Sequence, residues 1–275
     1  VRRQYAYLSR TCAPDGRTLQ ISDSYSMDAQ ADIAFVRSIH PMPATSRGGS
    51  RWFGDLGLGV LRQGRFDITV DAMPVGLWHH HAGKPNVLVY VDGAPLLVDT
   101  GCPNYDDDLR ERWCKTAAAH NTVVVRPLDG ATPCNEQTAA PVCRCRCRGA
   151  TFFEIEHVCE GGAFSYVWTR RVQLDSAGCR IIDVITSPKP VCARLCLHLA
   201  PCNVGLVSAG QAAVASRPGG DVCLMLAGRQ VFERDDRMAH GPDNHWQPSP
   251  GLSVTGQGRR VTFDLRIAPV VTKRA

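Results

Sequence analysis

The sequence contains no uninterrupted apolar run approaching the ~18 residues of a membrane-spanning helix, so a transmembrane helix is excluded. None of its 13 cysteines forms a Cys-x-x-Cys pair, which argues against the common thiolate zinc frameworks. Aromatic residues make up only 7%, and no Lys/Arg-rich helix interleaves with them, so nucleic-acid binding finds no support. There is no Gly-x-x-x-x-Gly-Lys loop for phosphates and no Gly-x-Ser-x-Gly elbow for acyl chemistry. No internal repeat of fixed period stands out. An excess of one charge is also lacking. The 31 Lys+Arg against 26 Asp+Glu give +5, which suits a polyanionic partner without requiring one. Val1 leads through Arg2-Arg3-Gln4 into no apolar segment, so no secretory leader is read in the sequence.

What remains is a chain of 275 residues, 44% apolar and 21% charged. That composition excludes a disordered chain, and the length suits one large domain with a core that needs no disulfide staple. The odd cysteine count leaves at least one thiol unpaired within the chain. Cys143, Cys145 and Cys147 alternate with Arg144, Arg146 and Arg148, which on a strand predicts sulfurs on one face and guanidiniums on the other.

Residues 1–50 read as a connector. Tyr5 and Leu8 fit the end of a helix, Pro14-Asp15-Gly16 a turn, Asp32–Ile39 a short helical pattern, and Ser46–Ser50 a mobile link. From Trp52 the period changes to two. Short β-rich runs recur from Leu58 to Ile267, and Asp92-Gly93 is a strong hairpin turn. About a dozen strands with few helices predict an all-β fold, a large antiparallel two-sheet β-sandwich over residues 51–275. Leu109–Ala119 reads as a short helix or an irregular excursion.

The chemistry concentrates between Gly76 and Val125. His79-His80-His81 precedes a hairpin that ends at Asp99, and His120-Asn121 follows. On a strand His79 and His81 share a face, the hairpin brings Asp99 back toward them, and a longer connection brings His120. A His/Asp/His set with an open position suits Zn²⁺. Each residue alone also has a plain reading: a surface His cluster, a turn-capping Asp99, a turn-closing His120. Arg110, Arg112 and Lys115 lie on the excursion that would edge such a cleft, as a solvated face or as carboxylate binders. Trp78 and Tyr105 serve equally as core packing or as sugar-stacking rings.

The run HHHAGKPNVLVYVDGAPLLVDTGCPNY, followed by TAAAHNTVVV, resembles the heparinase II/III-like polysaccharide lyases, including related alginate lyases. FGDLGLGVLRQG resembles that family's entry into its β-sandwich, PDGRTLQISDSYS its connector, and WTRRVQL, GCRIIDVI and LCLHLAP its later strands. The resemblance implies a lyase acting on an acidic polysaccharide, with its active site between an N-terminal α/α toroid and the C-terminal sandwich. It implies zinc, mainly organising, at His81, Asp99 and His120, and a substrate-facing or catalytic His79. Arg110, Arg112 and Tyr105 would then contact substrate. It also implies a periplasmic or secreted setting, and a partner toroid that the 50 residues before the sandwich cannot form, so the chain by itself is expected to be weakly active. Gly83 stands where the family usually has Asp, and Cys102 where Thr is usual. Two other readings stay open. A non-catalytic sugar-binding sandwich is one. A cupin-type metal enzyme is the other, weakened because Lys84, Pro85 and Asn86 follow His81 where a Glu is needed.

Overall fold

The computed structural model describes residues 2–40, 48–73, 79, 81–102, 108–129, 142–147, 152–161, 164–240 and 245–270. Trp78, Tyr105, Ser46 and Arg47 therefore lie outside the described residues, as do the side chains of the alternating Cys/Arg run. Two helices open the chain, α1 (Arg2–Thr11) and α2 (Ala29–Ile39). Asp28 caps α2 by accepting the N–H groups of Gln30 and Ala31. Among the described residues no helix is long and apolar enough to cross a membrane.

The rest is strand. β1 (Arg51–Phe53), β2 (Leu58–Gln63), β3 (Phe66–Asp71), β4 (Asn86–Val91) and β5 (Ala94–Leu97) form one antiparallel sheet in sequence order. The larger sheet holds β6 (Val123–Pro127), β7 (Val142–Cys147), β8 (Phe152–Gly161), β9 (Phe164–Asp175), β10 (Gly178–His198), β11 (Asn203–Val207), β12 (Ala212–Ser216), β13 (Val222–Leu226), β14 (Glu233–Arg234) and β17 (Gly251–Pro269). Its main path runs β11-β12-β13-β17-β10-β9-β8-β7, with β6 on β10 and β14 on β17. β15 (Arg237–His240) and β16 (Trp246–Ser249) make a separate hairpin.

The inner faces of the two sheets share one core, in which Ile68, Val70, Val87 and Val89 meet Trp168, Ile181, Leu195 and Phe263. Aligned sheets with a common apolar interior are the predicted sandwich. β4 is buried along its whole length. Its second face, Leu88 and Tyr90, packs against Ala13, Leu19 and Ile21 of the connector. The N-terminal segment is thus a third layer over the outer face of the smaller sheet.

The strands are longer than the sequence suggests. Cys179–Ile185 and Ala193–Leu199 read as two strands, yet both belong to β10, which carries a register shift against β17 between Thr186 and Val191. Pro188 and Pro190 stand exposed in that interval, where a missing N–H costs no ladder bond.

Candidate functional site

Three stretches converge where β4 begins and β5 ends. The first is the loop 79–85 that follows β3. The second is the return of the β4–β5 hairpin. Asp92 (φ 51°) and Gly93 (φ 79°) both adopt the left-handed conformation that a tight two-residue turn needs. Val91 then pairs with Ala94 and Tyr90 with Pro95, so the chain reaches Asp99 opposite Asn86. The third is the excursion before β6, which forms helical turns at Arg110–Cys114 and Ala117–Ala119 and delivers His120.

Buried polar contacts pin these stretches together. Asn86 donates Nδ2 to Asp99 Oδ2, and its Oδ1 accepts the N–H of Asn121 at 3.0 Å. Asn121 donates Nδ2 to Val98 O at 2.8 Å, while its Oδ1 accepts the N–H of His198 at 2.7 Å. Ala82 N–H donates to Lys115 O at 3.0 Å. From the connector, Ser22 Oγ accepts a 3.2 Å bond from the buried Lys84 Nζ, which also pairs with Asp71.

His81, Asp99 and His120 are all buried, and each offers a ligand atom within 4.8 Å of the other two. His120 Nε2 lies 2.9 Å from Cys114 O and Nδ1 lies 2.7 Å from Asp99 Oδ2. A carbonyl oxygen only accepts, so Nε2 carries hydrogen; a ring with a second hydrogen on Nδ1 donates it to Asp99, and a ring without one turns its Nδ1 lone pair on the carboxylate. Two acceptors that close need a cation or a shared proton between them. His81 Nε2 lies 2.7 Å from Asp23 Oδ1, and its Nδ1 is buried with no hydrogen-bond partner among the described residues. An unpartnered ring nitrogen beside a carboxylate and a second ring fits a divalent cation with nitrogen and oxygen ligands. Burial works to raise the Asp99 carboxyl, yet the charge and hydrogen bond of His120, with Lys84 and His81 behind, hold it at about 2. Burial pushes the His81 imidazole down, toward the neutral form that binds metal.

His79 stands apart from this set. It lies on a turn and not on a strand, so it does not share a sheet face with His81, and its side chain is 70% exposed whereas His81 is sealed. Its Nδ1 donates to Asp23 Oδ2 at 3.2 Å. Arg110 donates Nη2 to Asp23 Oδ2 at 2.7 Å and Nη1 to Glu111 at 2.6 Å, with only 11% of its side chain exposed. Arg112 is exposed and pairs with Asp108, and Lys115 pairs with Glu111. Asp23 is the residue that sequence reasoning missed. Hydrogen bonds from His81 and Arg110 overcome its burial and hold its carboxyl well below the usual range. The neighbouring Cys102 thiol is pushed up to about 11 by burial and by Asp23, so it stays protonated.

Gly83 has a physical reason to be glycine. Its φ is +86°, and a Cβ there would stand 3.0 Å from His120 Cδ2 and 3.1 Å from Ala117. The Asp that the resemblance leads one to expect would be strained and crowded in that conformation, and a carboxylate of Asp23 lies beside His81.

A family model described as heparinase II/III-like, C-terminal, matches residues 45–271. No curated protein matches the chain. Among solved structures it is similar to the heparinase III BT4657 gene product, at 16% identity and a TM-score of 0.79, over 98% of this chain and 46% of that one. It is similar also to heparan sulfate lyase HepC from Pedobacter heparinus, at 15% identity and a TM-score of 0.80, over 98% of this chain and 46% of that one. At such identities the likeness is one of fold. The chain spans less than half the length of these structures.

Proposed function

This chain belongs to the heparinase II/III-like family through its C-terminal domain, and from that premise we propose that it is the metal-bearing sandwich of a polysaccharide lyase that cleaves uronate-containing glycans by β-elimination. The observation that carries the reading is the buried His81–Asp99–His120 set, with the unpartnered His81 Nδ1 at its centre, next to an exposed histidine. His81 and His120 through Nδ1, and Asp99 through Oδ2, would hold zinc. That ion would supply an organising positive charge that fixes the two rings and the carboxylate.

The residues of this chain account for part of such a reaction. β-Elimination needs the uronate carboxylate neutralised, the C5 proton removed and the leaving oxygen protonated. A placed acid or base contributes about 10²–10⁴-fold. His79, exposed and with its Nδ1–H held by Asp23, would take a proton or stabilise developing charge. Arg112, exposed and joined to Asp108 in a surface pair, would turn toward an acidic sugar, with Arg110 and Tyr105 as the other substrate contacts. Groups that neutralise the uronate come from outside this chain, in a helical toroid domain that completes the cleft in a periplasmic or secreted enzyme.

Metal analysis of the purified chain tests the reading. One zinc per chain is expected, and His81→Ala should lose both the metal and the rise in Tm that the metal brings. Acidic oligosaccharide should bind. Release of unsaturated uronate, read by ultraviolet absorbance, should be weak until a toroid is supplied and strong thereafter. A metal-free chain that binds no uronate oligosaccharide would overturn the proposal.

A further inference from the structure

We propose that Asp23, contributed by the connector, is the positioning residue of this site. It selects the nitrogen that His81 offers to a cation and sets His79 and Arg110 side by side at the open edge. The proposal rests on the metal reading above and deepens it.

The Asp23 side chain is 2% exposed, and both its oxygens are in use. Oδ1 faces His81 Nε2 at 2.7 Å and Arg110 Nε at 3.3 Å. Oδ2 faces Arg110 Nη2 at 2.7 Å and His79 Nδ1 at 3.2 Å. An ionised carboxylate can only accept, so every one of these nitrogens bears hydrogen. The neutral His81 ring is therefore the Nε2–H tautomer, and its lone pair sits on Nδ1, the buried atom with no partner among the described residues. Two histidines two residues apart thus receive different tasks from one carboxylate. His81 is held by Nε2 and presents Nδ1 inward. His79 is held by Nδ1 on a side chain that is 70% exposed.

Asp23 is fixed well enough for this work. Its N–H donates to His79 O at 3.4 Å. Ser22 before it takes a positive φ of 53° and is tied through its hydroxyl to Lys84. Ile21 before that is buried against the outer face of β4. Asp23 also lies outside residues 45–271, the span of the family match, so the sandwich alone does not complete the shell around its own histidines. Partners that orient a ligating histidine typically change metal affinity by about 10–100-fold when lost.

The test uses the full 275-residue chain, labelled with ¹⁵N at histidine and first held free of metal. Imidazole ¹⁵N spectra should show His81 as the Nε2–H tautomer in the parent and as a tautomer mixture in Asp23→Asn. Zinc affinity, by chelator competition, should fall about 10–100-fold in Asp23→Asn. Asp28→Ala loosens the same connector by removing the α2 cap without touching either ring, and should leave both readouts at parent values. Parent His81 protonated on Nδ1 would overturn the proposal. So would parent-like zinc affinity in a folded Asp23→Asn, or equal effects from Asp28→Ala. If the parent takes up no zinc, the metal reading falls, and the tautomer spectra of the metal-free chain still decide the role of Asp23.

Discussion

Arg170 and Asp183 form a two-pronged ion pair in the interior, Nε to Oδ1 at 2.7 Å and Nη2 to Oδ2 at 2.9 Å, with side chains 1% and 0% exposed. The pair joins neighbouring strands β9 and β10, where residues 170 and 183 are in register. The remaining arm of Arg170, Nη1, donates to Asn121 O at 2.6 Å and to Pro85 O at 3.0 Å. One guanidinium thus clamps the loop after His81 to the loop after His120 from beneath. Its planar fork satisfies four acceptor atoms at once, which a lysine cannot do.

Arg170→Met should accordingly injure both stability and the site. It leaves Asp183 buried with Trp168 Nε1 as its remaining side-chain donor among the described residues, strips Asn121 O of the Arg170 bond, and leaves Pro85 O with the Thr122 hydroxyl alone. Removing one partner of a buried pair costs about 3–5 kcal/mol. Urea denaturation should show that loss, and zinc affinity should drop with it because the two loops are no longer clamped. A cost under ~1 kcal/mol would mean that the pair is not desolvated as described.

Gly83 gives a sharper test of local geometry. Gly83→Ala places a methyl against His120 Cδ2 and the Ala117 backbone in a conformation that L residues avoid. The expected cost is more than ~1 kcal/mol, since strain and crowding add. Chemical denaturation measures it, and metal affinity should fall with stability because His120 is the ring that is displaced. A neutral substitution would show that the loop has another conformation open to it.

The hairpin, the sandwich and the convergence of His81, Asp99 and His120 were legible because each has a local signature. Asp92-Gly93 announces its turn, the period of two announces strands, and His81, Asp99 and His120 stand in a recognisable frame of small and apolar residues. Asp23 has no such mark. It is one acid in a polar turn, and its partners His79 and His81 lie 56 and 58 positions away. The packing of Leu19 and Ile21 on Leu88 and Tyr90, with the Ser22–Lys84 hydrogen bond, brings it there. That layer was illegible for a related reason. Val87–Val91 is an unbroken apolar run, which signals burial on both faces without naming what covers the second. The length of β10 was hidden by Pro188 and Pro190, which mark a strand end unless the bend is known to be exposed. The position of His79 on a turn, not a strand, is set by the same loop that seats Gly83 at positive φ.

The acid sensitivity of the fold should trace to buried imidazoles. His157 stacks on Tyr166 with ring centroids 5.8 Å apart, and burial pushes it down to about 4 from an ordinary 6.5 despite a hydrogen bond to the backbone of Lys84. His198, its Nε2 bound to Ala118 O and its Nδ1 unpartnered, is likewise pushed to about 4. As pH falls below 6.5 the unfolded chain binds protons at these residues that the folded chain refuses. Stability is therefore complete above about 6.5 and is lost progressively as pH falls toward 4, by up to about 1.4 kcal/mol per pH unit for each group. Urea midpoints of the metal-free chain between pH 7 and 5 should decline on that slope. His157→Gln removes one titrating ring, so its midpoint should fall less steeply over the same interval, whatever its stability at pH 7. A variant whose slope equals that of the parent would show that His157 protonates without resisting the fold.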